Sequence, residues 1–195
     1  MSIYYISDLH LGHANAINFD NRPFANVDEM DGALIRNWNR VVSEQDTVCV
    51  LGDFIWAKEN EWPSYLENLK GKKILVRGNH DPKEFSRTTK RYFQDIAPLK
   101  EITDSGKHVI MCHYPIPFHR GDYDEKCYML YGHVHNSREN EFLLRWREEI
   151  RNSCTENRHA RGQFINVGCM MSWMDYRPRT LEEIIEREAE VLHKD

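Results

Sequence analysis

The sequence has no apolar run long enough to cross a bilayer, so no membrane-spanning helix is expected. It also has no CxxC pair. Its five cysteines, Cys49, Cys112, Cys127, Cys154 and Cys169, are an odd number, and three of them fall within apolar runs of strand length. A buried free Cys behaves as a small hydrophobe, and this usage fits a reducing compartment better than a disulfide framework. Met1 leads almost directly into Ile3-Tyr4-Tyr5-Ile6, without the basic and apolar regions of a secretory leader. A cytoplasmic protein with no membrane attachment is expected. Positive charge is scarce as well. Twenty-six Lys and Arg against 31 Asp and Glu leave a net charge of −5 with histidines neutral. No bulk electrostatic footprint for nonspecific nucleic-acid binding follows from that. Internal repeats and low-complexity linkers are absent too.

What remains is an ordinary globular composition with 41% hydrophobic and 29% charged residues. The 195 residues suit one domain over 1–195, long enough to bury a core without disulfides. One composition shift interrupts it. Residues 136–161, dense in Arg and Glu, read as a charged elaboration with Phe142, Leu143, Trp146 and Ile150 as a narrow apolar stripe.

Short apolar runs rich in β-branched and aromatic residues predict strands at 3–7, 47–51, 73–77, 107–112, 127–131 and 163–167. Their near-continuous apolar character suits strands covered on both faces. A weaker strand is expected over 96–103. Between them, Val27, Met30, Leu34, Trp38 and Val41 recur at helical spacing, with Asn26 as N-cap. Further helices are expected over 59–69, from Pro82 to about Tyr92, and from the capping box Thr180-Leu181-Glu182-Glu183 onward. Alternating strands and helices predict an α/β layered fold.

The ten histidines matter through their placement. Five predicted strands are each followed at once by residues able to bind metal or move protons. These are Asp8-Leu9-His10, Gly52-Asp53, Gly78-Asn79-His80-Asp81, His113, and Gly132-His133-Val134-His135. In α/β sheets, ligands gather beyond the carboxyl ends of strands. Taken singly, each motif reads as a turn or a surface pair; their ordered conjunction points to one crevice. Asp8, His10, Asp53, Asn79, His113, His133 and His135 include two carboxylates and no cation. Two divalent ions would leave a surplus of about +2, which favours a phosphate-type anion; two ions roughly 3.5–4 Å apart can clamp a displacement at phosphorus. Imidazole and carboxylate accept manganese, iron, zinc or nickel. Gly52, Gly78 and Gly132 permit close backbone approach beside these residues.

These motifs, spanning residues 8–135 in order, resemble the signature of the calcineurin-like metallophosphoesterase superfamily. Ile165-Asn166-Val167-Gly168, with Tyr176-Arg177-Pro178, resembles the closing strand of its small bacterial and phage members. The resemblance implies a four-layer α-β-β-α sandwich and a dinuclear centre, with manganese the foremost candidate. The first ion would take Asp8, His10, Asp53 and His135. The second would take Asp53, Asn79, His113 and His133, so that Asp53 bridges. His80 would serve as general acid or transition-state stabiliser, with Asp81 orienting its ring, while a metal-held hydroxide attacks phosphorus in line. Asn79 and His80 would also touch the substrate.

Other residues are read both ways. His13 is either a substrate or supporting contact or a surface histidine. His119 and Arg120 read as a solvated loop tip, Trp56 as packing, and His108, His159 and His193 as exposed. The Arg145, Arg147 and Arg151 stretch reads as a solvated helix face with Glu148 and Glu149. Asp53 is followed by Phe54-Ile55-Trp56-Ala57-Lys58, without the Arg that Ser/Thr protein phosphatases of the superfamily place there. The expected function is therefore a phosphoesterase acting on a small phosphoester or nucleotide-like substrate, with phosphodiesters favoured. Phosphomonoesterase, nuclease and non-catalytic protein-binding scaffold are the alternatives. The sequence leaves oligomeric state open.

Overall fold

The apolar runs form two four-stranded sheets. β1 (Ile3–Ile6), β2 (Thr47–Val50), β3 (Lys72–Val76) and β4 (Phe93–Ala97) lie in that spatial order, all parallel. β5 (Leu99–Asp104), β6 (Lys107–Cys112), β7 (Cys127–Tyr131) and β8 (Phe164–Asn166) make the second sheet, parallel apart from the β5–β6 hairpin. The computed structural model describes residues 1–153 and 160–192; Cys154, His159 and His193 lie outside them.

Alternation along the second sheet sets the layers. Met111, Leu130 and Ile165 are paired across the strands and face the central core shared with the first sheet. Their neighbours Ile110, Met129 and Phe164 are also paired, and they face the opposite way. There they meet Leu143 and Ile150 of α5 (Arg138–Ser153). Both faces of the sheet are buried, as the unbroken apolar runs required. The first sheet is covered by α2 (Val27–Val41), whose buried residues Met30, Leu34 and Trp38 follow the expected stripe. Fully burying each such side chain contributes about 1.5–3 kcal/mol. Asn26 caps this helix by accepting the Glu29 amide at 2.9 Å. α6 (Leu181–Leu192) opens on the expected capping box, with Thr180 and Glu183 bonded reciprocally at 3.0 and 3.3 Å. No helix among the described residues is long and apolar enough to cross a membrane.

Several expectations are corrected. The single strand expected over 96–103 is two strands in different sheets, β4 and β5, because Pro98 stands between them and breaks the ladder. The helix expected from Pro82 shrinks to α4 (Arg87–Lys90), which starts only after Ser86 caps the Thr89 amide. The helix expected over 59–69 is a 3-10 turn (Glu59–Glu61) followed by α3 (Trp62–Leu66). A short helix, α1 (Ala14–Phe19), was not expected at all. The segment around 136–161 carries α5, which closes the fourth layer rather than decorating it, although Phe142 falls outside the apolar stripe and is exposed. Arg147 does not lie on a solvated face. It is 1% exposed and donates to Glu188 of α6 at 2.7 Å and to the Phe164 carbonyl at 3.1 Å. This pair explains the break that Glu188 makes in the apolar stripe of α6.

Candidate metal centre

Because β1, β2, β3, β6 and β7 end on one side of the molecule, the residues just past them meet there. The loops continue the pairing of the strands: the amides of Asp8 and His10 donate to the carbonyls of Gly52 and Asp53 at 3.1 and 3.0 Å. The sheets are joined at the same point, where Ser7 donates to Val167 and Cys169 donates back to Ser7. Five of the seven candidate ligands hold left-handed backbone: Asp8, His10, Asp53, His133 and His135, with φ between 49° and 70°. Such conformations cost about 1 kcal/mol or more each in non-glycine residues, and they cluster where function over-determines the backbone. Here each turns a side chain sharply off its strand and into the crevice.

Donor atoms converge in two groups whose members lie within 4.8 Å of one another: Asp8, His10 and His135, and Asp8, Asp53 and His113. One Asp53 oxygen sits between the groups, 3.7 Å from His10 Nε2 and 3.6 Å from His113 Nε2. Asn79 Oδ1 lies 2.9 Å from His113 Nε2. The His133 ring stands at the exposed rim, its centroid 5.1 Å from that of His113 and 4.6 Å from that of Tyr114, while its amide donates to both Asp8 oxygens. Neither nitrogen of His133 belongs to the two groups.

Hydrogen bonding assigns the imidazole protons. His113 Nδ1 donates to the Leu51 carbonyl at 2.8 Å, so Nε2 turns a lone pair toward Asp53 and Asn79. His135 Nδ1 donates to Asp20 at 2.7 Å, and its Nε2 faces Asp8 Oδ1 at 3.6 Å and His10 Nε2 at 3.4 Å. Burial of this ring is outweighed by the Asp20 and Asp8 carboxylates, which push its pKa up. Burial, with the neighbouring His135 and Arg22 charges, pushes the His10 imidazole down to about 2, so this ring is neutral. Burial pushes the Asp8 carboxyl up. Ring nitrogens and carboxylates thus converge with no Lys or Arg side chain among them, a donor set suited to a metal ion. The donor set fits divalent cations.

Supporting contacts fix the donors, and sequence reasoning missed several. Asp20 follows α1 and is held by Arg22 at 2.8 Å, while Arg22 also donates to the Asp8 and Leu9 carbonyls. This chain of contacts ties His135 to the β1 loop. Asp20 and His135 are 115 positions apart, and neither periodicity nor a local motif marks the pair. Asn166 of the closing strand donates to the His135 carbonyl at 3.0 Å. Losing a ligand's outer hydrogen bond costs about 10–100-fold in metal affinity. Asp20→Ala is expected to weaken manganese binding by that amount in a calorimetric titration. Unchanged affinity would show that His135 needs no such support.

Asp81 does not reach the His80 ring as expected. Its carboxylate accepts the amides of Asp53 at 3.1 Å, Phe54 at 3.0 Å and Gly78 at 2.7 Å. It therefore locks the β2 and β3 loops together. Burial, opposed by the Gly78 and Phe54 amides, pushes its carboxyl up to about 6. The His80 amide donates to Asp53 at 3.0 Å and its exposed ring lies against Trp56, 4.8 Å between centroids, with its centroid 6.1 Å from that of His10. Trp56 is not packing: it is 42% exposed, with its ring stacked on His13 at 3.9 Å and 5°. His13 thus stands at the site, with Nδ1 buried and without a partner. His119 and His108 are half-buried rather than exposed, and His108 is paired with Glu101.

Comparison with known proteins agrees with this geometry. The sequence model of the calcineurin-like phosphoesterase superfamily domain matches residues 1–182. An uncharacterized protein of Methanocaldococcus jannaschii is 51% identical over 81 residues, 40% of this chain and 46% of that protein's own length. The gene 66 protein of Mycobacterium phage D29 is 29% identical over 163 residues, covering 69% of this chain and 79% of its own. Among solved structures, a protein of unknown function from Aquifex aeolicus superposes with a TM-score of 0.64 at 32% identity, covering 97% of this chain and 98% of that one. The two-sheet fold, the convergent donors and the match over nearly the whole sequence lead to one conclusion: the chain belongs to the calcineurin-like phosphoesterase superfamily.

Proposed function

We propose that the protein hydrolyses small phosphodiesters with two divalent metal ions, manganese foremost. Asp8, His10, Asp53 and His135 would hold one ion, and Asp53, Asn79, His113 and His133 the other. When bound, such a pair supplies positive charge to phosphoryl oxygens and makes an acidic water available near neutral pH. The chain's own groups do the rest. Asn79 and His80, at the exposed end of the β3 loop, contact the phosphoryl group. The bond from phosphorus to the leaving oxygen breaks opposite the incoming water oxygen, and His80 delivers a proton to that leaving oxygen. His13 acts beside them by holding Trp56 in place.

The observation carrying the diester preference is a pair of clefts that share no lining residue. One, of about 350 Å³, is bounded by Trp56, Ala57, Lys58 and His80. The other, of about 530 Å³, is bounded by Phe19, His133 and His135. A monoester needs room for one organic group, whereas a diester carries two. The buried thiols of Cys49, Cys127 and Cys169 support a reducing, cytoplasmic setting. The net charge of −5 favours a small substrate over a polynucleotide.

Manganese-loaded protein should turn over bis-p-nitrophenyl phosphate with higher kcat/KM than p-nitrophenyl phosphate. Metal-stimulated turnover of neither would sink the proposal, and a preference for the monoester would remove its diester half. His80→Ala should cut kcat by about 10²–10⁴-fold while elemental analysis still finds the bound metal. Loss of metal in that variant would make His80 part of the cradle instead.

A further inference from the structure

The wider cleft beside His133 and His135 has its own chemistry. Phe19 forms one wall, 52% exposed, its ring set against the imidazoles of His10 and His135 at 5.9 and 5.3 Å between centroids. An exposed aromatic at the mouth of a polar crevice is a stacking surface awaiting a planar partner. Val134 adds apolar surface, and the exposed Asn136 adds an amide with both donors and an acceptor. Ser137 and Glu139 are bonded to each other at 2.7 Å on the rim. The Asp20 side chain is buried and paired with Arg22 and His135, so the exposed Glu139 is the acidic group on the rim, and no Lys or Arg among the described residues lines the cleft to hold a second phosphate. An uncharged group with a flat ring and hydroxyls does suit it.

We infer that this cleft is a nucleoside subsite, in which the base of a nucleotidyl phosphodiester stacks on Phe19 and is read by Asn136 while the rim carboxylate accepts from sugar hydroxyls. The inference rests on the diesterase reading and adds the identity of the group that stays on phosphorus. The leaving group occupies the other cleft, next to His80.

Two substrates isolate the subsite. The p-nitrophenyl ester of thymidine 5′-monophosphate and methyl p-nitrophenyl phosphate release the same phenolate, so they differ only in the retained group. The nucleoside ester is expected to show a KM at least ~10-fold lower, as aromatic stacking of one base provides. Phe19→Ala should reduce the ratio of the two kcat/KM values about 10-fold, mainly through KM. Phe19→Tyr should restore it, and Asn136→Ala should lower it in part. Calorimetry should show thymidine 5′-monophosphate bound about 10-fold more weakly by Phe19→Ala. Equal KM values in the natural protein, or a ratio indifferent to Phe19, would overturn the subsite while leaving diester hydrolysis standing. Hydrolysis of neither ester would contradict the diesterase reading itself, and the subsite with it.

Discussion

Asp53→Asn is expected to lower kcat/KM by about 10³-fold, roughly 4 kcal/mol at 1.36 kcal/mol per decade, and to leave at most one ion bound. The substitution is nearly isosteric. Its remaining carbonyl oxygen can still accept the His80 amide, which now donates to Asp53 at 3.0 Å. The loss is therefore one of charge rather than shape. In the native site one oxygen faces both His10 and His113, at 3.7 and 3.6 Å. Without that charge the Asp8, Asp53 and His113 group loses a carboxylate, and both proposed ion sites lose the ligand they would share. Elemental analysis beside a diesterase assay checks both halves of the prediction. Two ions retained with full activity would show that Asp53 does not join the groups.

Gly132→Ala should be nearly as damaging by a different route. A methyl group there would overlap the side chains of Ser7 and Asp8, both fully buried. Ser7 cannot yield easily, because its hydroxyl donates to the Leu51 carbonyl at 2.7 Å and its backbone joins the two sheets. Asp8 is pinned by the His133 amide and is common to both groups of donors. Overpacking of this kind costs about 1–3 kcal/mol, which at this size lowers Tm by about 2–4 °C per kcal/mol. A fall of about 2–12 °C with loss of metal binding is expected from differential scanning calorimetry and titration. An unchanged Tm with full metal content would mean that the crevice has more slack than its packing shows.

The candidate ligands were legible because strand ends are simple to read. A buried parallel strand announces itself as an apolar run, and whatever follows it must stand at the carboxyl edge of the sheet. Asp8, Asp53, Asn79, His113 and His133 could thus be placed together without knowing the order of the strands. The capping residues Asn26 and Thr180 were equally clear, since an N-cap is a local bond. What escaped was non-local or lay at a break. Asp20 acts on His135 across 115 positions, and Arg147 meets Glu188 across 41. Neither leaves a periodic trace, so Arg147 read as one more surface charge in an Arg- and Glu-rich stretch. Asp81 stood beside His80 in sequence and was assigned to it. Its carboxylate instead serves three backbone amides, a role invisible until the β2 and β3 loops are seen side by side. Pro98 was the missed break, dividing one apparent strand between two sheets.

The most direct measurement is a crystal structure of the manganese-soaked protein with anomalous data collected at the manganese edge. The account predicts two peaks about 3.5–4 Å apart, one against His10 and His135 and the other against His113 and His133, with an Asp53 oxygen between them. A crevice without manganese, or a lone peak outside these donors, would contradict it.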